Sequence, residues 1–288
     1  MGSLMGHLAP GTFFILFALW WIYSIFRKYY TAKYDPKSNR YENTATFLSQ
    51  RWPNIPLEGY LKLLASITGV IGETITGFKW VDNQWKFANV IPNGSHIIMF
   101  LFFVVNAIAD LATFYKGRHL PKDLDYVFAT VAAMCECYLF ANHLHGRNNL
   151  DVKLHTCLVF VILLCVISSL AEMLGNRHDV RFGLFRSCSY LWQGTWLLQT
   201  GIILYPPKGF PSWDHESMRT SMIMDLMFMG HLMSSILVIV LIGSCIYIRK
   251  KKSCDSKGKW KNASTEYHAL VSAHDVDEDS NCVKTPFS

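Results

Sequence analysis

Charged residues are scarce in this chain of 288 residues: Asp, Glu, Lys and Arg make up 17% of it, against about 25% in a typical soluble domain. Hydrophobic residues make up 51%, and the mean hydropathy is +0.20. The apolar residues fall in blocks of roughly 20, the length that spans a bilayer core of about 30 Å. This composition excludes a soluble enzyme, a disordered chain and a nucleic-acid-binding protein, and it predicts a membrane protein.

Motifs of catalysis and cofactor binding are also missing. The chain has no dinucleotide-binding GxGxxG, no phosphate-binding GxxxxGK[ST], no nucleophile-elbow GxSxG and no zinc-binding HExxH. Its eight cysteines form no paired CxxC motifs, and six of them lie inside apolar segments, where a thiol packs as a small hydrophobic group. Because no nucleophile stands out, the sequence favours a protein that is not an enzyme.

Seven apolar segments predict an all-α fold, a bundle of seven transmembrane helices that occupies residues 1–248. A polar tail, residues 249–288, follows and has the composition of a disordered cytosolic segment. The predicted spans are Pro10–Phe26, Leu57–Phe78, Ser95–Tyr115, Leu124–His143, Leu154–Leu174, Phe182–Tyr205 and Met218–Ile248.

The basic residues predict the orientation of the bundle. If the N-terminus lies on the lumenal or extracellular side, 20 of the 27 lysines and arginines fall in cytosolic segments and only six in outside segments. Positive charge is concentrated in the cytosolic loops of membrane proteins. The pattern therefore predicts a lumenal or extracellular N-terminus and a cytosolic C-terminus.

Two features of the tail predict partners. The juxtamembrane run 249–252, RKKK, suits anionic lipid headgroups. Tyr267 and Leu270 have the spacing of a tyrosine-based sorting signal, which an adaptor protein binds as an extended peptide. The tail is therefore expected to bind the lipid bilayer and sorting adaptors, while the oligomeric state is left open.

Ionisable side chains inside the apolar segments are the candidate site residues, because each is costly at membrane depth. Most gather toward the outside end of the predicted bundle. Imidazole and carboxylate together form the usual ligand set of zinc. His7, His143, His155 and His231 are therefore candidate zinc ligands, and Glu136 is a candidate catalytic base.

Other interpretations of these groups stay open. The histidines can join helices through hydrogen bonds without any metal. A proton relay is a further alternative, with members Glu73, His96, Asp110, Glu136 and His143.

For one further carboxylate, Glu172, we expect an ion pair at a helix end. Glu172 lies near the cytosolic end of the fifth span, where Arg177 or Arg181 could pair with it.

Several motifs resemble the transmembrane protein 45 family, in order along most of the chain. They are GHLAPGTFF at 6–14, HLHGR at 143–147, RSCSYLWQGTWLLQTG at 186–201, LYPPKG at 204–209 and PSWD at 211–214. The family's Cys-Trp-His run in the last span is matched here only by His231. The resemblance implies a seven-helix architecture and residence in endomembranes such as Golgi, endosome or lysosome, or in the plasma membrane. It implies no catalytic residues.

Three functions are consistent with this sequence. The main hypothesis is a trafficking, scaffold or innate-defence factor that acts through protein contacts and has no firm cofactor. The second is a zinc-dependent intramembrane lipid hydrolase, by analogy with the seven-helix alkaline ceramidases. In this chain His143, His155 and His231 would hold the metal. The third is a proton-coupled transporter that uses the relay residues.

Overall fold

The structure, a computed structural model, describes residues 3–34, 40–88, 90–142, 144, 146–210 and 212–255. Within these residues the chain forms seven long α-helices, a β-hairpin and a short 3-10 turn, Gly117–His119. The elements are α1 Leu4–Tyr34, α2 Leu57–Gly77, β1 Phe78–Val81, β2 Gln84–Phe87, α3 Val90–Lys116, α4 Leu124–Ala141, α5 Asn149–Leu174, α6 Val180–Leu204 and α7 Met218–Asp255. The predicted all-helical fold class is confirmed.

Six of the helices form a ring, and consecutive helices reverse direction. α1 packs against α6, α6 against α5, α5 against α4, α4 against α3, and α3 against α2. The ring closes where Trp20 and Trp21 of α1 donate hydrogen bonds to Glu58 of α2. α7 packs outside the ring against α1, α5 and α6. We call the end of the bundle at which α1 begins the near end, and the opposite end the far end.

The helices differ in how apolar they are, and their positions explain why. Five of them (α1, α3, α4, α5 and α7) are long and apolar enough to cross a membrane. α6 is less apolar because it lies between other helices, so that 14 of its 25 residues are buried. A helix surrounded by protein can carry polar side chains such as Arg186, Gln193 and Thr200, since neighbouring helices shield them from lipid.

Two glycines explain how closely α1 approaches α6. A Cβ atom on Gly11 would meet the backbone oxygen of Gly194, and one on Gly194 would meet the backbone of Gly11 and Ile15. Small residues at such crossings let helix backbones come into direct contact, which is how helices pack inside membranes.

The segment between α1 and α2 covers the far end. The backbone N–H of Asn43 donates to the carbonyl oxygen of Arg177, and its side chain donates to the carbonyl oxygen of Asp179. Tyr41 is buried beside it and hydrogen-bonds Asn43. Burial raises the pKa of the Tyr41 hydroxyl above its ordinary value. This segment therefore ties α1 to the α5–α6 turn.

The β-hairpin at the near end joins α2 to α3 and was not predicted from the sequence. Its turn residues, Asp82 and Asn83, both have positive φ, which suits the tight turn of a two-residue hairpin. Four aromatic side chains share one face of the hairpin because they occupy alternate, paired positions. They are Phe78, Trp80, Trp85 and Phe87.

Candidate functional site: two cavities that meet at a buried carboxyl group

A cavity of about 140 Å³ opens at the near end of the bundle, among α1 to α5. We call it the near cavity. The ionisable residues that line it come from five helices or their connections, and they are His7, Glu73, His96, Glu136, Arg147 and His155. The sequence indicated that ionisable groups gather at this end, and the structure places these six around one space.

The α1–α5 side of the near cavity holds two histidines. The rings of His7 and His155 lie edge to face, with centroids 5.9 Å apart. His155 Nδ1 lies 2.7 Å from Asp151 Oδ1, and Arg147 Nη1 donates to both oxygens of Asp151 at 2.8 and 2.9 Å. His7 Nδ1 instead lies 2.9 Å from the carbonyl oxygen of Ser3. Each imidazole is therefore oriented through one nitrogen by a local partner.

The α2–α3 side of the near cavity is organised around Glu73. Its Oε1 lies 3.2 Å from His96 Nδ1, and its Oε2 accepts a hydrogen bond of 2.7 Å from Asn93 Nδ2. These contacts place a carboxyl group and an imidazole next to each other at the mouth of the bundle.

A second cavity of about 100 Å³ lies deeper in the bundle, toward the far end. We call it the far cavity. Eight of its 20 lining residues are aromatic, and they include Phe14, Phe17, Trp21, Phe100 and Phe103. Its polar lining residues are Lys62, Asn106, Asp110, Tyr126, Glu136, Ser66, Ser169 and Arg186.

Among the described residues, Glu136 is the ionisable one that lines both cavities. It lies on α4 and is 2% exposed, and its Oε1 accepts a hydrogen bond of 2.8 Å from Gln193 Nε2 on α6. Its second oxygen, Oε2, has no hydrogen-bond partner among the described residues. The one carboxyl group placed between the two spaces therefore has an unused acceptor.

Other buried polar atoms around the far cavity also lack partners within the described part of the chain. They are Asn106 Oδ1, Asp110 Oδ1 and Tyr126 Oη. All three residues are at most 6% exposed. Buried polar atoms in native proteins nearly always have a partner, and an orphaned one costs about 1–3 kcal/mol. These atoms could form hydrogen bonds with water or with a solute in the cavity.

Two buried ion-pair clusters form the far wall of this cavity. Lys62 Nζ lies 2.9 Å from both Glu58 Oε1 and Asp110 Oδ2. Arg186 Nε pairs with Glu172 Oε2, and the guanidinium group lies over the ring of Trp21, 4.2 Å from its centroid. Both cations are therefore compensated by carboxylates, as buried charges must be.

These pairs correct one expectation from the sequence. Glu172 pairs with Arg186 of α6, whereas Arg177 pairs with Asp123 and Arg181 with Asp179. The reason is geometric. α6 packs alongside α5 in the opposite direction, so Arg186, one and a half turns inside α6, faces the last turns of α5.

The candidate metal ligands do not all lie at one place in the structure. The structure brings His7 and His155 together, but His231 lies on α7 against Trp196, with ring centroids 5.7 Å apart, and lines neither cavity. His143 lies outside the described residues, as do Tyr267 and Leu270 of the sorting signal. Among the described residues, no group of three or more His, Cys, Asp or Glu side chains is placed to hold a metal ion.

Sequence reasoning missed the role of α2. Glu58 and Lys62 of α2 are four residues apart and therefore lie on one helix face. Asn106 and Asp110 of α3 have the same spacing. Matching these two pairs across neighbouring helices is the signal that could have located the far cavity.

Comparison with known proteins places the chain beside membrane proteins of unknown function. Residues 122–247 match the model of a family of unknown function, DUF716. The chain is 22% identical over 245 residues to transmembrane epididymal protein 1 of Rattus norvegicus, covering 81% of this chain and 77% of the relative. It is 19% identical to transmembrane epididymal protein 1A of Mus musculus, with the same shares covered. The similarity and the apolar helices together show a multi-pass integral membrane protein, similar to a transmembrane family whose function is unknown.

Proposed function

We propose that the protein is a proton-coupled transporter that moves a small polar solute through the helix ring. The observation that carries the proposal is the position of Glu136. This carboxyl group lines both cavities, is buried, and has one oxygen without a partner among the described residues. A carboxyl group in that position can exchange a proton with the near cavity and contact a solute in the far cavity.

The remaining relay residues support the same proposal. Glu73 and His96 line the near cavity, and Asp110 lines the far cavity. Ionisable groups thus follow one another from the mouth of the bundle past Glu136 to the far wall. His143, the fifth predicted member, lies outside the described residues.

The alternatives receive less support from the contacts. A hydrolase that uses His143, His155 and His231 needs histidines from α5 and α7 around one metal, whereas His231 packs on the outer helix against Trp196. A scaffold has no use for orphaned polar atoms around an internal cavity. The trafficking, scaffold or innate-defence role rests on the tail and stays a prediction. Deleting residues 267–270 and observing where the protein accumulates tests it.

We also propose that all seven helices cross the membrane, with the near end outside. α2 and α6 have 21 and 25 residues, about 31 and 37 Å at 1.5 Å per residue, enough for a bilayer core. With the near end in the lumen of an acidic compartment such as the Golgi, endosome or lysosome, the histidines would face the proton-rich side. The finer likeness to the transmembrane protein 45 family agrees with this location. Glycosylation tags placed in the 205–217 loop and after 255 test the orientation.

The transport proposal is tested in proteoliposomes that enclose a pH-sensitive dye. A mixture of choline, glycine and gluconate, none of which crosses lipid readily, is added outside under an imposed pH gradient. We expect a protein-dependent change in internal pH that falls at least tenfold in Glu136→Gln, because the amide cannot carry a proton.

The matched control for that experiment is Glu42→Gln, an exposed glutamate that lines neither cavity. It is expected to behave as the wild type. If the internal pH changes at the same rate with and without protein, or equally in wild type and Glu136→Gln, the transport proposal is wrong.

A further inference from the structure

We infer that the far cavity is a binding site for a small organic cation of the size of choline or tetramethylammonium. The inference rests on the proposed function, because the cation would be the solute that exchanges for the proton of Glu136. It depends on four properties of the cavity wall: its unpartnered atoms, its charge, its aromatic lining and its size.

The unpartnered oxygen atoms in the cavity wall favour a ligand that is positively charged or donates hydrogen bonds. Asn106, Asp110 and Glu136 all line the far cavity, and each has one side-chain oxygen without a partner among the described residues. The amide oxygen of Asn106 can only accept hydrogen bonds, and so can the oxygens of the two carboxyl groups when these are ionised. An anion placed among them would be repelled and would leave all three unsatisfied. A cation would be attracted to all three.

The balance of charge around the cavity points the same way. Four carboxyl groups line the cavity or bind its two cations, and they are Glu58, Asp110, Glu136 and Glu172. The cations among the described lining residues are Lys62 and Arg186. Lys62 and Arg186 neutralise two of the four, so the wall lacks positive charge when all are ionised. Buried charges persist only when they are paired.

The aromatic wall is suited to a cation. The ring of Trp21 contacts two cationic side chains of the protein itself. The Arg186 guanidinium carbon lies 4.2 Å from its ring centroid, and Lys62 Nζ lies 5.4 Å from it. Phe14, Phe100 and Phe103 line the same cavity. Aromatic rings around a desolvated cation attract it through their quadrupoles, and such rings are the usual surroundings of quaternary ammonium ligands.

The volume sets the size of the ligand. At about 100 Å³ the space is smaller than the engineered cavity of about 150 Å³ that holds benzene in a dry protein interior. Benzene has six heavy atoms, so by that comparison the space holds about four or five heavy atoms, the size of tetramethylammonium or of the ammonium head of choline.

The exchange conserves charge and protons. In the empty state the Glu136 carboxyl group holds a proton and carries no charge. When the cation binds, the proton leaves Glu136 for the near cavity, and the carboxylate pairs with the cation. One positive charge enters as one leaves, and no oxidant, reductant or covalent intermediate takes part.

The binding test uses purified full-length protein in detergent, without any membrane gradient. Binding of radiolabelled choline is measured, with tetramethylammonium and the neutral choline analogue 3,3-dimethylbutan-1-ol as competitors. We expect tetramethylammonium to displace choline and the neutral alcohol to fail by at least tenfold in concentration. Binding should release protons into a weakly buffered solution.

Two variants assign the binding to this cavity. Glu136→Gln is expected to weaken choline binding at least tenfold and to abolish proton release, and Phe100→Leu is expected to weaken binding several-fold while leaving proton release per bound choline unchanged. Glu42→Gln is the control and should match the wild type. Equal competition by the neutral alcohol, or no binding of either cation to folded protein, overturns the inference.

The two proposals can fail separately. Protein-dependent proton movement without cation binding leaves the transporter and removes the organic cation. Cation binding with proton release but no movement across proteoliposomes leaves the binding site and removes transport.

Discussion

Glu58 and Glu136 are both buried glutamates of the helix ring, 5% and 2% exposed, yet their surroundings differ. Glu58 accepts hydrogen bonds from the indole nitrogens of Trp20 and Trp21 and from the backbone of Phe47, and it pairs with Lys62. Glu136 accepts one hydrogen bond, from Gln193, and has no cation beside it among the described residues.

The contrast separates groups that hold the bundle together from groups that are available for function. The four donors to the Glu58 carboxylate come from α1, from α2 and from the segment between these two helices. Glu58 therefore holds three parts of the chain together and has a structural role. A carboxyl group with an unused oxygen beside two cavities contributes little to packing. Burial alone, which is similar for both residues, does not distinguish these roles, whereas the number of partners does.

The largest loss of stability is expected for Glu58→Ala. The change leaves two indole N–H groups, one backbone N–H and part of the charge of Lys62 without an acceptor. Removing one partner of a buried ion pair typically costs about 3–5 kcal/mol, and we expect at least 3 kcal/mol here by that measure. The free energy of unfolding in mixed detergent and SDS micelles measures it. A loss below about 1 kcal/mol, the range of exposed pairs, would mean that Glu58 does not have this structural role.

Gly194→Ala is expected to have the next largest effect. The new methyl group would meet the backbone of α1 at Gly11, which cannot move as a side chain can. Overpacking of this kind costs about 1–3 kcal/mol. Gly230→Ala is the matched control, because Gly230 of α7 has open space around it. That change should stabilise the helix by up to about 1 kcal/mol, measured in the same unfolding assay. Equal effects of the two alanines would contradict the close α1–α6 approach.

Asp179→Ala tests a smaller contribution at the far end. Asp179 caps α6 by accepting from the backbone N–H of Arg181, and it also binds the Arg181 guanidinium group. Loss of such a cap costs about 1 kcal/mol, whereas Asp179→Asn, which keeps the cap, should cost much less. The contacts with Arg181 hold the pKa of the Asp179 carboxyl group below its ordinary value.

The pH dependence of this cap follows from that direction. A lowered pKa in the folded protein means that the stabilisation is present in full above the ordinary value of about 3.9 and is lost as the pH falls through the lowered one. The difference in unfolding free energy between wild type and Asp179→Ala should therefore stay constant from pH 7 to pH 5. A difference that shrinks within that range would contradict the assignment.

Glu136→Gln completes the comparison with the smallest expected change in stability. Glutamine keeps the shape and can still accept from Gln193, so we expect the unfolding free energy to change by less than the contribution of one hydrogen bond, about 1 kcal/mol. Together with the loss of proton movement proposed above, this would show a residue that serves function and not packing. A loss as large as that of Glu58→Ala would assign Glu136 to the structural class.

The sequence predicts where the helices lie along the chain, but not which face each helix turns toward its neighbours. The apolar segments of the sequence locate all seven helices of the structure, because a long apolar segment forms its backbone hydrogen bonds within itself as a helix, whatever its neighbours are. Gathering of His7, Glu73, His96 and His155 at one end also follows, since alternate helix directions place their positions at the same depth. The pairing of Glu172 with Arg186 does not follow, because it depends on which faces of α5 and α6 meet.

The β-hairpin shows a second limit. The residues between α2 and α3 were treated as a connection, because four-residue strands with exposed tryptophans give no alternation between buried and exposed positions. The two turn residues, Asp82 and Asn83, were the available signal. Their aromatic neighbours suit the interface between lipid and water, where tryptophan is enriched in membrane proteins.

The burial of α6 has a consequence for how the chain is made. Alone in a bilayer, Arg186 would cost about 2.5–3.5 kcal/mol on insertion scales, so α6 is poorly suited to leave the insertion machinery as a single helix. Both helices with which it packs most extensively, α1 and α5, precede it along the chain. The carboxylate that accepts Arg186 is therefore already synthesised when α6 emerges. If α6 crosses the membrane as proposed, the order of the helices lets it insert between α1 and α5, which have been synthesised before it.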